Sequence, residues 1–321
     1  MPTQIRPHRS SIGRQRAIGA LLVVLCATIL GACSSPKPSA DAASTGLVAL
    51  AANADGTSLV GWDAAGHAVP ITLPAGGTTW IATGRADVLA AVLADGKTAT
   101  SDPVSLGKPL QWRTVKAVGP TGETAKGPDY FATWDPEGGR FATLAGDLPA
   151  GDDIRLVLID PSVGTAFEIP LDRPVVAAPP VWIDDDRLLV VTGDAAEPIA
   201  TIIDATTGEL SDGPAGARLL ATSANGRRIA TMAGQGAPVV IRDTAGWLSG
   251  DGSSIASIAP PDGSSTAITF SLDATGQRLA VAWMAKDGTV TLAIHDGRSN
   301  WRRVAQPDIG TARGAVVAWR R

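Results

Sequence analysis

The chain has 321 residues, of which 45% are hydrophobic and only 4% aromatic, and its formal net charge is −4. Four of its 27 basic residues precede Cys33 and all 31 acidic residues follow it, so the chain after Cys33 carries 23 basic and 31 acidic residues, a formal charge of −8. This balance argues against a nucleic-acid-binding protein, which usually carries a basic patch. Both cysteines, Cys26 and Cys33, lie in the first 33 residues, which argues against disulfides and cysteine-based metal sites in the rest of the chain.

The first thirty residues have the pattern of a secretory signal. A basic segment comes first, and its arginines are Arg6, Arg9, Arg14 and Arg16. An apolar run of 14 residues follows, from Ala17 to Leu30. Such a run is too short to span a bilayer comfortably and has the length of a signal-peptide core. Because Gln15 separates Arg14 from Arg16, there is no twin-arginine signal, and we expect general secretion.

The apolar run ends in a large apolar residue, two small residues and a cysteine, namely Leu30, Gly31, Ala32 and Cys33. This order resembles the lipobox of bacterial lipoproteins. The resemblance implies that residues 1–32 are a signal peptide and that the Sγ of Cys33 is lipidated, with palmitate among the acyl chains. It therefore implies a protein held by lipid on the extracytoplasmic face of the cell membrane. The alternative is an ordinary signal peptide with an incidental cysteine.

The segment after Cys33 differs from the rest of the chain in composition. Residues 34–45 contain small residues, prolines and two charges, but no large apolar side chain. Because such a segment cannot bury a core, residues 33–45 are predicted to be a flexible tether. Residues 46–321 are then predicted to form one domain.

A repeated hairpin organises this domain. Between Phe131 and Ala145, two short apolar strands flank a turn at residues 135–139 that contains Pro136 and Gly138. Proline pre-sets one turn dihedral and glycine supplies a positive φ. The equivalent positions Trp134, Trp182, Ser223 and Ser271 are 48, 41 and 48 residues apart. A period of about 40–50 residues built from short strands predicts an all-β fold, a β-propeller.

Each repeat continues into an apolar strand that ends in Asp and a turn containing Gly. These aspartates are Asp160, Asp204, Asp243 and Asp296. Together with the hairpin motif, best matched at Trp134, Asp135, Pro136 and Gly138, this pattern resembles the TolB-type, WD40-like propeller repeat over residues 130–300. The two middle repeats lack the proline, and two of the four lack the tryptophan. The resemblance implies a fold and says almost nothing about activity.

Tracing the turns gives a prediction for the blades. Six four-stranded blades are predicted, at residues 46–75 with 312–319, 76–118, 130–170, 178–213, 217–258 and 266–306. The N-terminal blade has three strands of its own, and the C-terminal strand at residues 315–319 is predicted to complete it in a 3+1 closure. Such closure removes an open sheet edge. Seven blades are the main alternative.

Few residues carry obvious chemistry. After Cys33 the chain has two histidines, His67 and His295, and neither a G-x-S-x-G nor an H-E-x-x-H motif. His295, at a strand end, is interpreted as structural. The run Asp184–Asp186 occupies a turn position of the repeat and is interpreted as a solvated turn rather than a cation site. No cofactor and no metal are expected, and whether the chain has catalytic activity stays open.

The connections after the second and fourth strands of each blade vary more than the short connections after the first and third. Because variable loops on a rigid scaffold commonly carry function, we predict a binding face on that side, near the mouth of the channel. Its candidate residues are Lys126, Asp129, Asp147, Asp152, Asp153, Asp172, Arg173, Asp194, Glu197, Asp262, Lys286 and Asp287. Such a polar, mixed face suits protein contact or a small polar ligand.

Two functions remain open at this point. One is a non-catalytic binding scaffold, anchored by lipid, for a protein or another component of the cell envelope. The other is an extracytoplasmic hydrolase, similar to lactonases, that uses a cation held by carboxylates in the central channel. Carboxylates that converge on the channel axis would favour the enzyme, and carboxylates spread around the rim would favour the scaffold. The oligomeric state is not predicted.

Overall fold

A computed structural model describes residues 47–52, 58–63, 68–72, 78–83, 89–93, 97–102, 111–115, 129–146, 154–176, 178–194, 196–305 and 315–317. The lipobox residues Leu30, Gly31, Ala32 and Cys33 and the tether lie outside this range, as do His67, Lys126, Asp147, Asp152 and Asp153. Within the described ranges no helix is both long and apolar enough to cross a membrane.

The described chain is built almost entirely of short strands. In chain order they are β1 (Leu47–Ala52), β2 (Ser58–Asp63), β3 (Ala68–Thr72), β4 (Thr78–Thr83), β5 (Leu89–Leu93), β6 (Thr98–Ser101), β7 (Trp112–Thr114), β8 (Asp129–Trp134), β9 (Phe141–Ala145), β10 (Arg155–Asp160), β11 (Thr165–Pro170), β12 (Val181–Trp182), β13 (Arg187–Gly193), β14 (Pro198–Asp204), β15 (Leu210–Ala215), β16 (Leu219–Thr222), β17 (Arg228–Met232), β18 (Val239–Asp243), β19 (Ala256–Ile258), β20 (Thr266–Leu272), β21 (Arg278–Met284), β22 (Val290–Asp296), β23 (Arg302–Ala305) and β24 (Ala315–Val317). A five-residue helix, α1 (Thr244–Leu248), lies between β18 and β19.

These strands form four-stranded antiparallel sheets. The first sheet has the order β24-β1-β2-β3, and the second to sixth contain β4–β7, β8–β11, β12–β15, β16–β19 and β20–β23, each in sequence order across the sheet. The leading strands of successive sheets are in contact, from β4 to β8, β12, β16, β20 and β24. Repeated small sheets joined through their inner strands are the architecture of a β-propeller, so the predicted all-β propeller is confirmed.

The hairpin turns depend on side-chain capping by the residue after the first strand. Asp135 is buried, and its carboxylate accepts hydrogen bonds from the backbone N–H groups of Gly139 at 2.8 Å and Arg140 at 3.2 Å. Asp273 does the same for Gln277 at 2.7 Å and Arg278 at 3.1 Å in the sixth sheet. Because a carboxylate satisfies the N–H groups of the turn, the chain reverses at the place predicted from the sequence.

The aspartates that end the third strands also cap the turn or helix that comes next in the chain. Asp204 accepts from the N–H groups of Thr206 at 2.8 Å and Thr207 at 2.7 Å. Asp243 instead caps α1, through the N–H of Gly246 at 3.1 Å. The sequence predicted a simple turn here. The helix forms because a helical turn directs the Trp247 side chain inward. There it is buried in the apolar cluster between the fourth and fifth sheets, and this burial stabilises the turn.

The core lies between neighbouring sheets rather than inside one layer. One cluster joins the third and fourth sheets around Leu144, Leu156, Trp182 and Leu188. Another joins the fifth and sixth around Ile241, Phe270 and Trp283, which is 1% exposed. The middle strands β9 and β13 are buried along almost their whole length, as expected for strands covered on both faces.

Candidate functional site

The antiparallel order of the sheets gives the propeller two different ends. The connections after the second and fourth strands lie at one end, which we call the loop face. The connections after the first and third strands lie at the other, which we call the turn face. The first strand of every sheet therefore starts at the loop face and runs towards the turn face.

The loop-face end of the innermost strands is repeatedly interrupted. In β4, β8 and β20 the pairing with the second strand of the sheet shifts by one residue near the start of the strand. The extra residues are Thr79, Phe131 and Ile268. In the fourth sheet, Val181 pairs with Leu189 and the next bridge joins Val175 to Thr192. Several residues before β12 therefore leave the ladder at the loop-face end, in place of a single-residue bulge.

These bulges lie at the mouth of the channel on the loop face. A β-bulge leaves one residue out of the ladder, bends the strand and increases its twist, and bulges are frequent beside binding sites. Because the bulged strands are the innermost ones and the bulges sit at their loop-face ends, they shape the mouth of the channel. The sequence reasoning did not identify them, since a bulge depends on the register of two strands.

The predicted binding residues that the structure describes are spread around the loop face. Asp129 begins β8, and Arg173 is half-buried. The exposed members are Asp172, Asp194, Glu197, Asp262, Lys286 and Asp287. Within the described ranges, no three His, Cys, Asp or Glu side chains are grouped so that they could hold a metal ion. The described acids of this set come from separate connections at the loop face or, for Asp129, from the start of β8, and we call them the rim acids.

Several rim carboxylates stabilise their own loops. Asp194 accepts from the N–H of Ala196 at 2.9 Å, and Asp287 accepts from that of Thr289 at 2.9 Å. Asp262 accepts from the N–H of Ser265 at 2.6 Å and from that of Ser264 at 2.9 Å, and these bonds lower its pKa far below the ordinary value. These aspartates thus fix loop shape while keeping their negative charge.

The other rim residues are held less tightly. Arg173 donates to both carboxylate oxygens of Asp212, at 2.6 and 3.3 Å, and this pairing raises the pKa of the guanidinium. Asp172 and Glu197 are exposed and make no side-chain hydrogen bond to another described residue. They are therefore the rim acids best suited to meet an external partner, because no side-chain hydrogen bond to a described residue has to be broken first.

The turn face carries a feature that the sequence reasoning missed, an open cleft of ≈ 600 Å³ around the hairpin turn of the third sheet. Its walls come from the second, third and fourth sheets. The lining residues are Thr100, Trp134, Asp135, Glu137, Gly138, Gly139, Arg140, Asp160, Pro161, Ser162 and Asp185. No sequence signal marks this cleft, since its walls come from turns that are far apart in the chain.

The electrostatics of the cleft are uneven. Partial desolvation raises the pKa of the exposed Asp185, and the nearby charges of Glu137, Asp135, Asp186 and Asp184 raise it further. The pKa of Asp160 is lowered, chiefly by a hydrogen bond from the Ser162 hydroxyl and also by the charge of Arg140. Carboxylates from two sheets therefore meet here, with Arg140 between them.

The two remaining sequence interpretations concern possible chemistry. The Nδ1 of His295 bonds to the backbone oxygen of Trp301 at 3.2 Å, and burial lowers the pKa of the imidazole. Asp184 accepts from the N–H of Arg187 at 2.8 Å and pairs with its guanidinium at 2.7 Å, so it caps its own turn. Both residues thus have structural partners.

No protein-family model matches the chain, and no curated protein matches it in sequence. Among solved structures, it is similar to TolB from Acinetobacter baumannii, with 16% identity and a TM-score of 0.59 over 86% of this chain and 67% of that one. It is also similar to the β-propeller domain of Cps50 (Swd1) from Myceliophteria thermophila, with 18% identity and a TM-score of 0.53 over 84% and 89% of the two chains. A nidogen/laminin complex contains a further similar chain, with 10% identity, a TM-score of 0.58 and coverage of 85% and 98%. At these identities the likeness shows the fold alone: the chain is a β-propeller similar to TolB and to WD40 propellers.

Proposed function

We propose that this protein is a lipid-anchored, extracytoplasmic β-propeller that binds a protein or another component of the cell envelope without catalysing a reaction. The observation that carries the proposal is the bulge that recurs at the loop-face end of the innermost strands β4, β8 and β20. Bulges that recur at the same end of three innermost strands shape the channel mouth together. Such a shaped mouth, ringed by loops, favours recognition.

The charge of the rim favours a partner with basic groups. The exposed rim acids outnumber the basic residues Arg173 and Lys286, and Arg173 is already paired with Asp212. Charges at the rim of an interface mostly steer and select partners and contribute little to stability. A partner with a basic contact surface would therefore associate faster at low ionic strength than at high ionic strength.

The proposed scaffold is a closed ring of six blades. The antiparallel pairing of β24 with β1, in which Val316 lies opposite Leu50, supports a 3+1 closure. The contact of β24 with both β20 and β4 supports a ring in which the N-terminal sheet lies between the second and the sixth. A ring of this kind has no open inner edge, so it can hold the loops of one face in fixed relative positions.

The proposed anchor sets where the scaffold works. Lipid on Cys33 would hold the chain at the membrane, and residues 34–45 would act as the tether between the membrane and the propeller. A flexible tether of this length has a root-mean-square span of about 20 Å. The propeller would therefore stay close to the membrane surface while keeping rotational freedom to meet partners.

Charge reversal on the two faces tests this proposal. The double variant Asp172→Lys/Glu197→Lys changes exposed rim residues of the loop face, and Asp186→Lys/Glu209→Lys makes the same change in charge at exposed residues of the turn face. The measurement is recovery of native envelope partners with each affinity-tagged lipoprotein, quantified by mass spectrometry after circular dichroism confirms the fold. We expect the loop-face variant to lose most partner recovery and the turn-face variant to keep it. Equal recovery from the two variants, or loss from the turn-face variant alone, would contradict the proposal.

A further inference from the structure

The junction between the third and fourth sheets differs between its core and its rim. Its core is a continuous apolar cluster that includes Leu144, Leu156, Trp182 and Leu188. At the turn face above this core lies the open cleft. The leading strand of the fourth sheet, β12, is only two residues long, so little regular backbone of this sheet lines the junction near the turn face. The rim is therefore the part of the junction that depends on side chains.

Two side chains tie the rim together across the junction. The indole Nε1 of Trp182 donates to the backbone oxygen of Thr133 at 3.2 Å. Arg140, from the third sheet, donates from its guanidinium to the backbone oxygen of Asp185 in the fourth. The guanidinium carbon of Arg140 also lies 5.5 Å from the centroid of the Trp182 ring, within the range of a cation–π interaction.

Like charges oppose these ties. Asp135, Glu137 and Asp160 lie on the third-sheet side of the cleft, and Asp185, flanked by Asp184 and Asp186, lies on the fourth-sheet side. Among the described residues beside these acids are two arginines: Arg140, which lies 3.5 Å from Asp135, and Arg187, which pairs with Asp184 in its own turn. Arg140 is thus placed between carboxylates of both sheets.

We propose that Arg140 is an electrostatic strap that holds the third and fourth sheets together at the turn-face rim of this junction, and that the cleft widens when the strap is released while the apolar core below stays packed. The raised pKa of Asp185, caused first by partial desolvation and then by the carboxylates around it, is consistent with repulsion at this rim. The proposal concerns the turn face and is independent of the binding function proposed for the loop face.

The neighbouring sheet offers a matched control. Arg187 starts the second strand of the fourth sheet, at the repeat position of Arg140, but its guanidinium bonds to Asp184 within the same turn, at 2.9 and 2.7 Å. Replacing either arginine by methionine removes a charge and keeps an unbranched apolar stem. A difference between the two variants therefore reports on the contact across the junction and not on the loss of a surface arginine.

Hydrogen exchange measured by mass spectrometry on the full mature domain tests the strap. In Arg140→Met we expect amides on both sides of the rim, in peptides covering residues 133–140 and 181–187, to exchange about tenfold faster, since a charged hydrogen bond and a cation–π contact are lost. Exchange in β10 and in residues 188–193 of β13 should not change. In Arg187→Met the increase should be confined to residues 183–187. If Arg140→Met and Arg187→Met accelerate exchange to the same extent in residues 133–140 and in residues 181–187, the proposal is overturned.

Asp185→Asn provides a second test that leaves Arg140 in place. The substitution keeps the backbone oxygen that accepts a hydrogen bond from Arg140. It removes the negative charge of the Asp185 side chain, which other carboxylates surround. We expect slower exchange at the rim in the single variant, and protection restored towards the wild-type level in the double variant Arg140→Met/Asp185→Asn. If Asp185→Asn leaves exchange unchanged or accelerates it, the electrostatic basis of the strap is wrong, even where Arg140→Met alone proves too unstable to analyse.

Discussion

The turn-face contact between the fourth and fifth sheets gives a sharp stability prediction at Gly226. This glycine has a φ of 67°, and a Cβ added to it would lie far inside van der Waals distance of the backbone oxygen of Ile183 in the neighbouring sheet. Gly236 has nearly the same φ, 69°, but open space where its Cβ would be. The pair Gly226→Ala and Gly236→Ala therefore separates the effect of the close approach from that of the backbone conformation.

The magnitudes depend on the interactions that each substitution disturbs. A non-glycine residue in the left-handed region costs about 1–2 kcal/mol, and both variants share this term. Relieving the clash at Gly226 also means moving the turn away from its neighbours. Asn225 donates from its N–H to Ala274 at 3.1 Å and from its side chain to Thr275 at 3.3 Å, and Thr222 donates to the Trp182 carbonyl. Each weakened bond contributes about 1 kcal/mol. We expect a loss of ~3–5 kcal/mol for Gly226→Ala.

Urea unfolding followed by tryptophan fluorescence measures this difference, because Trp182 lies directly beside the disturbed turn. With unchanged m values, a lower midpoint reports a lower free energy of unfolding. Gly236→Ala should lose about 1–2 kcal/mol, from backbone conformation alone. If the two variants differ by less than about 0.5 kcal/mol, the turns of neighbouring blades do not support each other as the close contact implies.

Three further predictions concern the anchor, the ring closure and the response to acid. Cys33→Ser should prevent labelling with a palmitate probe and leave an unprocessed precursor, and a mature-size band that still partitions into detergent would refute the lipid anchor. Deleting residues 315–321 removes the strand paired with β1 and should lower the free energy of unfolding by several kcal/mol, whereas an unchanged melting temperature would contradict the 3+1 closure. A hydrogen bond from Arg298 lowers the pKa of Asp296 from 3.8 to about 2, so its contribution to stability is present at neutral pH and lost as the pH falls from about 4 to 2. Asp296→Asn should flatten that part of the stability profile measured by urea unfolding, and an unchanged profile would show that this carboxylate is not a source of acid sensitivity.

The repeat could be predicted from the sequence because its turns depend on interactions between residues that are close in the chain. The hairpin at residues 131–145 and the Asp-Gly turns after the third strands depend on residues within a few positions of each other, and the structure has both. The exception, α1, comes from the burial of Trp247 against another sheet, which a local pattern does not reveal.

The site was less predictable than the fold because it depends on how strands and sheets meet. The bulged residues Phe131 and Ile268 are defined by register, and no residue type marks them in advance. The turn-face cleft brings Asp185 close to Asp135 and Glu137, about fifty residues earlier in the chain. From the sequence alone, the run Asp184–Asp186 is interpreted as an ordinary solvated turn. The exposed rim acids could be proposed from loop position, but their capping roles, as at Asp262, became clear only from hydrogen-bond geometry.

Site-specific photo-crosslinking in intact cells tests most directly whether the loop face is where this propeller binds its partner. A photoactivatable amino acid at Glu197 reports on the loop face, and the same amino acid at Glu209 reports on the turn face; both residues are exposed glutamates. We predict a discrete adduct from position 197 that is absent from position 209 and is lost in the Asp172→Lys background. Adducts from position 209 alone, or the same adducts from both positions, would contradict the claim.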